Sequence, residues 1–113
     1  MILQIASRET GGVTALDLTG RITLGRDCQQ VEWRVDDLIK ADRKKVVLNL
    51  DGITLVDSTG VGIIVTCFGR LRRAGGELRQ AGVKGNVKDI LTMTQLDQVM
   101  RFYPTVEAAT QDF

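Results

Sequence analysis

Apolar and polar residues alternate near the start of the chain, which is the pattern of a half-buried β-strand. The alternation covers residues 2–6 and again residues 13–18, and Gly11-Gly12 lies between the two runs. Because paired glycines favour a tight turn, we predict an antiparallel hairpin. Residues 19–22 are interpreted as the segment that leads out of it.

Two later segments repeat apolar residues every three to four positions, as an amphipathic helix does. The first spans about residues 26–41, with one apolar arc formed by Cys28, Val31, Val35, Leu38 and Ile39. Trp33 points away from this arc, either along a neighbouring element or into solvent as a contact residue. The second helix follows Asp57 and is predicted to end at Gly75-Gly76, since glycine is common just past a helix C-terminus.

The second helix is predicted to be largely buried. Its apolar side consists of Val61, Ile63, Ile64, Val65, Cys67, Phe68, Leu71 and Ala74. The narrow arc that remains consists of Ser58, Gly62, Thr66, Gly69 and Arg73. Small residues in this arc leave a shallow stripe, where another chain could approach the helix backbone closely.

The rest of the chain continues the alternation of strands and helices. Further strands are predicted at residues 46–50, 77–81 and 99–103, and further helices at residues 86–94, with Asn86 as N-cap, and 105–111, after Pro104. Alternating strands and helices imply parallel pairing through crossovers. We therefore predict one α/β domain over residues 1–113, a single-layer mixed sheet of an N-terminal hairpin plus parallel strands, with about four helices.

Composition excludes several classes of function. The chain has 15 basic and 14 acidic residues and no histidine. The charge balance does not favour nucleic acid or an anionic membrane, and the lack of histidine excludes Ser-His-Asp and Cys-His catalysis and histidine metal ligands. Cys28 and Cys67 are predicted to be buried free thiols. No apolar run approaches the roughly 18 residues of a membrane span, so we expect a soluble, cytoplasmic protein. We also expect no metal and no cofactor.

The residues Asp57-Ser58-Thr59-Gly60 lie at the predicted start of the second helix. Free backbone N–H groups and the helix dipole at such a start tolerate an added anion. Ser58 can therefore be a helix cap, a phosphate acceptor, or both. Gly60-Val61-Gly62 lacks a third glycine and a Gly-Lys-Ser/Thr sequence, so it indicates a nucleotide site only weakly.

The chain resembles the STAS domain family, the fold of bacterial anti-sigma factor antagonists. The resemblance covers nearly the whole length and rests on four short segments. These are Leu18-Thr19-Gly20, Val47-Leu48-Asn49-Leu50, Val56-Asp57-Ser58-Thr59-Gly60-Val61-Gly62 and Gly75-Gly76. Thr59 stands where many members have serine, and Arg21 where many have an acidic residue.

The resemblance implies a non-enzymatic switch. In the family, the serine after the aspartate is phosphorylated by a partner that is both anti-sigma factor and serine kinase, of the GHKL ATPase type, and a Ser/Thr phosphatase resets it. Ser58 holds that position here. The unphosphorylated form would bind the anti-sigma factor and release the sigma factor. The predicted partner-binding residues are Asp57, Ser58, Thr59, Gly60, Gly62, Thr66 and Gly69.

Two alternatives remain open from the sequence. The first is a constitutive interaction module in a stressosome-like or lipid-transport assembly, with Ser58 acting only as a cap. The second is a small nucleotide-binding enzyme, which the absent histidine and the incomplete glycine motif disfavour.

Overall fold

The structure, a computed structural model, describes residues 3–113. Within this range the elements are β1 Gln4–Thr10, β2 Val13–Ile22, α1 Gln29–Lys40, β3 Lys45–Val56, α2 Ser58–Arg73, β4 Glu77–Ala81, α3 Gly85–Met93, a 3-10 helix Leu96–Gln98, β5 Phe102–Tyr103 and α4 Val106–Thr110. The predicted order of strands and helices is confirmed, and Ile2, at the start of the first predicted strand, lies outside the described residues.

The five strands form one mixed sheet in the order β1-β2-β3-β4-β5. β1 and β2 are the antiparallel hairpin that the alternation predicts, with Thr10 opposite Val13. β2, β3, β4 and β5 run parallel to one another. The predicted fold class is therefore confirmed. Among residues 3–113, no helix combines the length and apolar character that crossing a membrane requires.

The helices cover both faces of the sheet. α1, α2 and α3 bury the larger core, which includes Leu16, Leu48 and Leu78 from alternate positions of the central strands. α4 packs on the opposite face, where Ala109 meets Val47 in a smaller cluster. Because β2 and β3 are covered on both faces, their residues are buried at odd and even positions alike.

The buried guanidinium of Arg79 fastens α4 to the sheet. It donates hydrogen bonds to the backbone oxygens of Ala109, Gln111 and Asp112 at 2.9–3.1 Å, and its side chain is 4% exposed. Glu77 balances its charge at 2.7 Å. The last carbonyls of a short helix are thus satisfied by a cation from a neighbouring strand.

A second arginine joins the helices on the other face. The guanidinium of Arg70 in α2 lies 2.8 Å from a carboxylate oxygen of Asp36 and 3.3 Å from one of Glu32, both in α1. This pairing fixes the two helices side by side. α2 therefore has a defined neighbour along one flank, and its stripe of small residues lies elsewhere on its surface.

Both central strands extend beyond their predicted ends. Residues 19–22 are predicted to lead out of the hairpin and the next strand to end at residue 50, but Ile22 pairs with Val56 and Gly20 with Ile53. Two shifts in the register between β2 and β3 accommodate the polar and glycine residues there. Pairing between two distant segments overrides the local turn preference. The consequence is that β3 continues to the residue directly before Asp57.

Several predicted boundaries in the helical regions are wrong. α1 begins at Gln29, since residues 26–28 form a turn in which the Cys28 thiol donates to the Gly25 carbonyl. Asn86 lies inside α3 instead of capping it, and its amide donates to the Thr54 carbonyl at 3.1 Å. The predicted strand at residues 99–103 is reduced to β5. Cys28 and Cys67 are both free and buried, as predicted.

Candidate functional site

The carboxylate of Asp57 organises the start of α2. Its Oδ1 accepts a hydrogen bond from the Gly60 N–H at 2.9 Å, which makes Asp57 the N-cap. Its Oδ2 accepts from the Leu24 N–H, also at 2.9 Å. These two N–H groups, Leu24 first, hold the pKa of the Asp57 carboxyl below its usual value. One side chain therefore ties the helix start to the loop between β2 and α1.

Ser58 is the first residue of α2, and its side chain is exposed. The cap position belongs to Asp57, so the helix does not need the Ser58 hydroxyl for capping. This settles one alternative left open by the sequence, because Ser58 is not the cap. Its hydroxyl makes no hydrogen bond to the part of the chain that the structure describes. The hydroxyl is accessible at the positive end of the helix dipole.

The predicted stripe of small residues lies on the surface of α2, where its members are exposed or half-buried. Gly62 is exposed, and a Cβ atom built there would meet no atom of residues 3–113 within 4 Å beyond its own stretch of helix. Thr66 is half-buried, and its hydroxyl donates to the Gly62 carbonyl at 2.9 Å. Gly69 is half-buried, and a Cβ atom built there would lie 3.3 Å from the flexible end of the Arg73 side chain. Ser58, Gly62, Thr66 and Gly69 thus form a low surface that a partner can approach.

Gly60, which is also among the predicted partner-binding residues, is not exposed on this surface. It is buried, and a Cβ atom there would lie 2.1 Å from the Ile22 carbonyl oxygen. Its lack of a side chain serves packing between α2 and the end of β2. Thr59, its neighbour, is half-buried beside the helix start. The burial of Gly60 could not be predicted from the sequence, because it depends on the end of β2, a distant segment of the chain.

Two exposed apolar residues were missed or misplaced by the sequence interpretation. Leu24 is 80% exposed and was not singled out, because it lies in a loop without periodicity. Val65 was predicted to be buried, but it is 45% exposed on α2. Trp33 is 57% exposed on α1, which favours the solvent-facing one of its two alternatives.

The fold and this site define a class of protein: a small α/β domain that presents a hydroxyl and a stripe of small residues at a helix start. The chain belongs to the STAS domain family, whose sequence profile matches residues 4–109. The anti-sigma F factor antagonist of Paenibacillus polymyxa is 28% identical over 98% of this chain and 96% of that protein.

Two solved structures show the same fold. A crystal structure of a Thermotoga maritima protein covers 96% of this chain and 92% of that one, with a TM-score of 0.88 and 20% identity. The Bacillus cell fate determinant SpoIIAA, in its phosphorylated form, covers 95% of both chains, with a TM-score of 0.71 and 18% identity.

Proposed function

We propose that this domain is a non-enzymatic anti-sigma factor antagonist switched by phosphorylation of Ser58. Its unphosphorylated form binds an anti-sigma factor that is also a serine kinase of the GHKL ATPase type, and so releases a sigma factor. The observation that carries the proposal is the exposed, uncommitted hydroxyl of Ser58 beside a cap that Asp57 already provides.

Similar proteins support this proposal. A relative that matches nearly the whole chain is named an anti-sigma F factor antagonist. SpoIIAA, which has the same fold, has been solved in unphosphorylated and phosphorylated forms. A role of this kind belongs to the cytoplasm, where sigma factors act, and requires a Ser/Thr phosphatase to restore the binding form.

The geometry of the helix start explains how a phosphate could switch binding without unfolding the domain. A phosphate adds about −1.5 to −2 charge at neutral pH. The N-terminus of α2 tolerates that charge, and Ser58 is exposed, so the core is not disturbed. The charge and bulk would lie next to Gly62 on the stripe. A partner that contacts Asp57, Thr59 or Gly62 would meet the phosphate at the same time. Thr66 and Gly69 continue the partner-binding face further along α2.

The test is a phosphorylation assay with a purified GHKL-type kinase from the same genome and ATP. Mass mapping should place a single phosphate on Ser58, and Ser58→Ala should take up none. Because Ser58 is not the cap, Ser58→Ala should keep the thermal stability of the wild type, which makes it a clean control. Binding by calorimetry should be retained in Ser58→Ala and weakened in Ser58→Asp.

The same assays distinguish the proposed phosphorylation switch from the alternative role as a constitutive module. Modification of Thr59, or none with a kinase that is active on itself or another substrate, would contradict the assignment of Ser58. Equal affinity of Ser58→Ala and Ser58→Asp for the anti-sigma factor would favour a constitutive interaction module in a stressosome-like or lipid-transport assembly.

A further inference from the structure

Leu24 is an exposed apolar residue in a loop whose backbone is bonded to Asp57. Its side chain is 80% exposed, although most leucines of the domain are in the core. Its N–H donates to Asp57 Oδ2, while Asp57 Oδ1 holds the Gly60 N–H. The loop that carries Leu24 is therefore fastened to the residue that precedes Ser58.

This arrangement favours a role in binding. An exposed leucine contributes little to folding, and a loop whose backbone is already held loses less conformational freedom when a partner covers it. The nearest exposed charged residues along the chain, Arg21 and Arg26, are both basic. The acidic neighbours are less available, because the half-buried Asp27 accepts a hydrogen bond from Gln30 and Asp57 accepts from two backbone N–H groups. A surface complementary to this loop is an apolar pocket with an acidic rim.

We propose that Leu24 is the apolar anchor through which the domain holds its anti-sigma factor, and that Asp57 is the positioning residue that presents it. The partner surface is an apolar pocket with an acidic rim. This inference rests on the proposed function, since the partner is the one that Ser58 controls. It adds a contact residue in the loop between β2 and α1 and a second route by which phosphate acts.

The second route is the Asp57 carboxylate itself. A phosphate on Ser58 lies on the adjacent residue and competes for the N–H groups at the start of α2. It also repels the carboxylate, which weakens the bond from Leu24. The same negative charge repels an acidic rim on the partner. Phosphorylation thus loosens the anchor as well as obstructing the stripe.

The first experiment compares two leucine-sized apolar residues of equal exposure. Leu24→Ala should weaken binding of the unphosphorylated domain to the anti-sigma factor by roughly tenfold or more, as is usual for an interface anchor. Met93→Ala is the matched control, because Met93 is 81% exposed at the end of α3. It should bind as the wild type does. Leu24→Met should retain most of the affinity, and raised salt should weaken binding.

The second experiment needs no partner and tests the positioning by Asp57. Asp57→Ser keeps a good N-cap, but its short hydroxyl cannot also serve the Leu24 N–H. Hydrogen exchange by NMR should show the Leu24 amide exchanging roughly tenfold faster or more in Asp57→Ser, at a nearly unchanged melting temperature. The phosphorylated domain should show a change in the same direction.

The outcomes distinguish this inference from the proposed function. If Ser58→Asp weakens binding but Leu24→Ala does not, the assignment of Leu24 as the anchor is wrong, and the phosphorylation switch at Ser58 is unaffected. If Leu24 exchanges equally fast with and without the Asp57 carboxylate, the positioning role is wrong. If binding is independent of salt, the acidic rim is wrong. If the wild type binds no anti-sigma factor, the proposed function fails and the anchor with it.

Discussion

Gly60 lies so close to the end of β2 that one methyl group added there should destabilise the domain. A Cβ atom at this position would be 2.1 Å from the Ile22 carbonyl oxygen and 2.9 Å from a methyl group of Val56. The first obstacle is backbone within a paired strand, so it cannot rotate away. The helix start and the strand must separate by about 1 Å to reach ordinary contact.

The size of the effect follows from two opposing terms. Overpacking a close contact costs about 1–3 kcal/mol, and a rigid obstacle favours the upper end of that range. Alanine has a higher helix propensity than glycine, which offsets up to about 1 kcal/mol. We expect Gly60→Ala to lower the free energy of unfolding by about 2 kcal/mol, and therefore the melting temperature by roughly 8 °C for a chain of this length.

The control is Gly62→Ala, two residues further along the same helix. A Cβ atom there meets nothing within 4 Å, so only the propensity term applies, and stability should rise by about 0.5–1 kcal/mol. Urea and thermal unfolding of both variants, followed by circular dichroism, measure the difference. Gly62→Leu should also fold, but it should abolish binding of the partner because its side chain rises above the stripe.

Two results would refute this reasoning. If Gly60→Ala were as stable as the wild type, the contact between α2 and Ile22 would not be as close as the structure shows. If Gly62→Ala or Gly62→Leu melted or lost solubility, the stripe would be packed inside the domain. The partner surface would then have to be sought elsewhere, with Trp33 as the next candidate.

Three further predictions concern charged and buried groups. Arg79→Met should lower the free energy of unfolding by about 2–4 kcal/mol in urea titrations, because three carbonyl oxygens of the C-terminal segment lose their donor. Arg79→Lys should retain only part of the stability that the arginine provides. The pKa of the Asp57 carboxyl is lower in the folded state than in the unfolded state. The ionised carboxylate therefore stabilises the fold fully above its unfolded pKa, and this stabilisation is lost as pH falls through its folded pKa. Asp57→Asn should accordingly lose less stability than the wild type upon acidification below about pH 5. Burial raises the pKa of the Cys67 thiol to about 12, so the native domain should resist alkylation of this residue at pH 8 until denaturant is added, as mass spectrometry after iodoacetamide treatment would show.

Much of the fold could be predicted because it depends on local patterns. The hairpin around Gly11-Gly12 and the strand Glu77–Ala81 were both expected from alternation and turn chemistry. The end of α2 just before Gly75 followed from the preference of glycine for that position. The extensions of β2 and β3 could not be predicted, because residues 51–56 form a strand only through pairing with residues 19–22.

The candidate site was predicted in part. The sequence alone placed Ser58 at a helix start and grouped it with Gly62, Thr66 and Gly69, since helical spacing needs no knowledge of neighbours. It could not decide which residue of Asp57-Ser58-Thr59 caps the helix, because all three types can accept the same N–H groups.

Tertiary structure decided what each residue of the site does. The bond from Leu24 joins residues 33 positions apart and ties the Asp57 carboxylate, which caps α2 through the Gly60 N–H, to a distant loop. The close approach of Ile22 turns Gly60 from a surface residue into a packing residue. Periodicity along a helix specifies which residues share a face, whereas the path of a distant loop specifies which of them solvent or a partner can reach. The sequence by itself therefore determined the stripe, and only the packing of α2 against the end of β2 and the loop that follows it determined its edge.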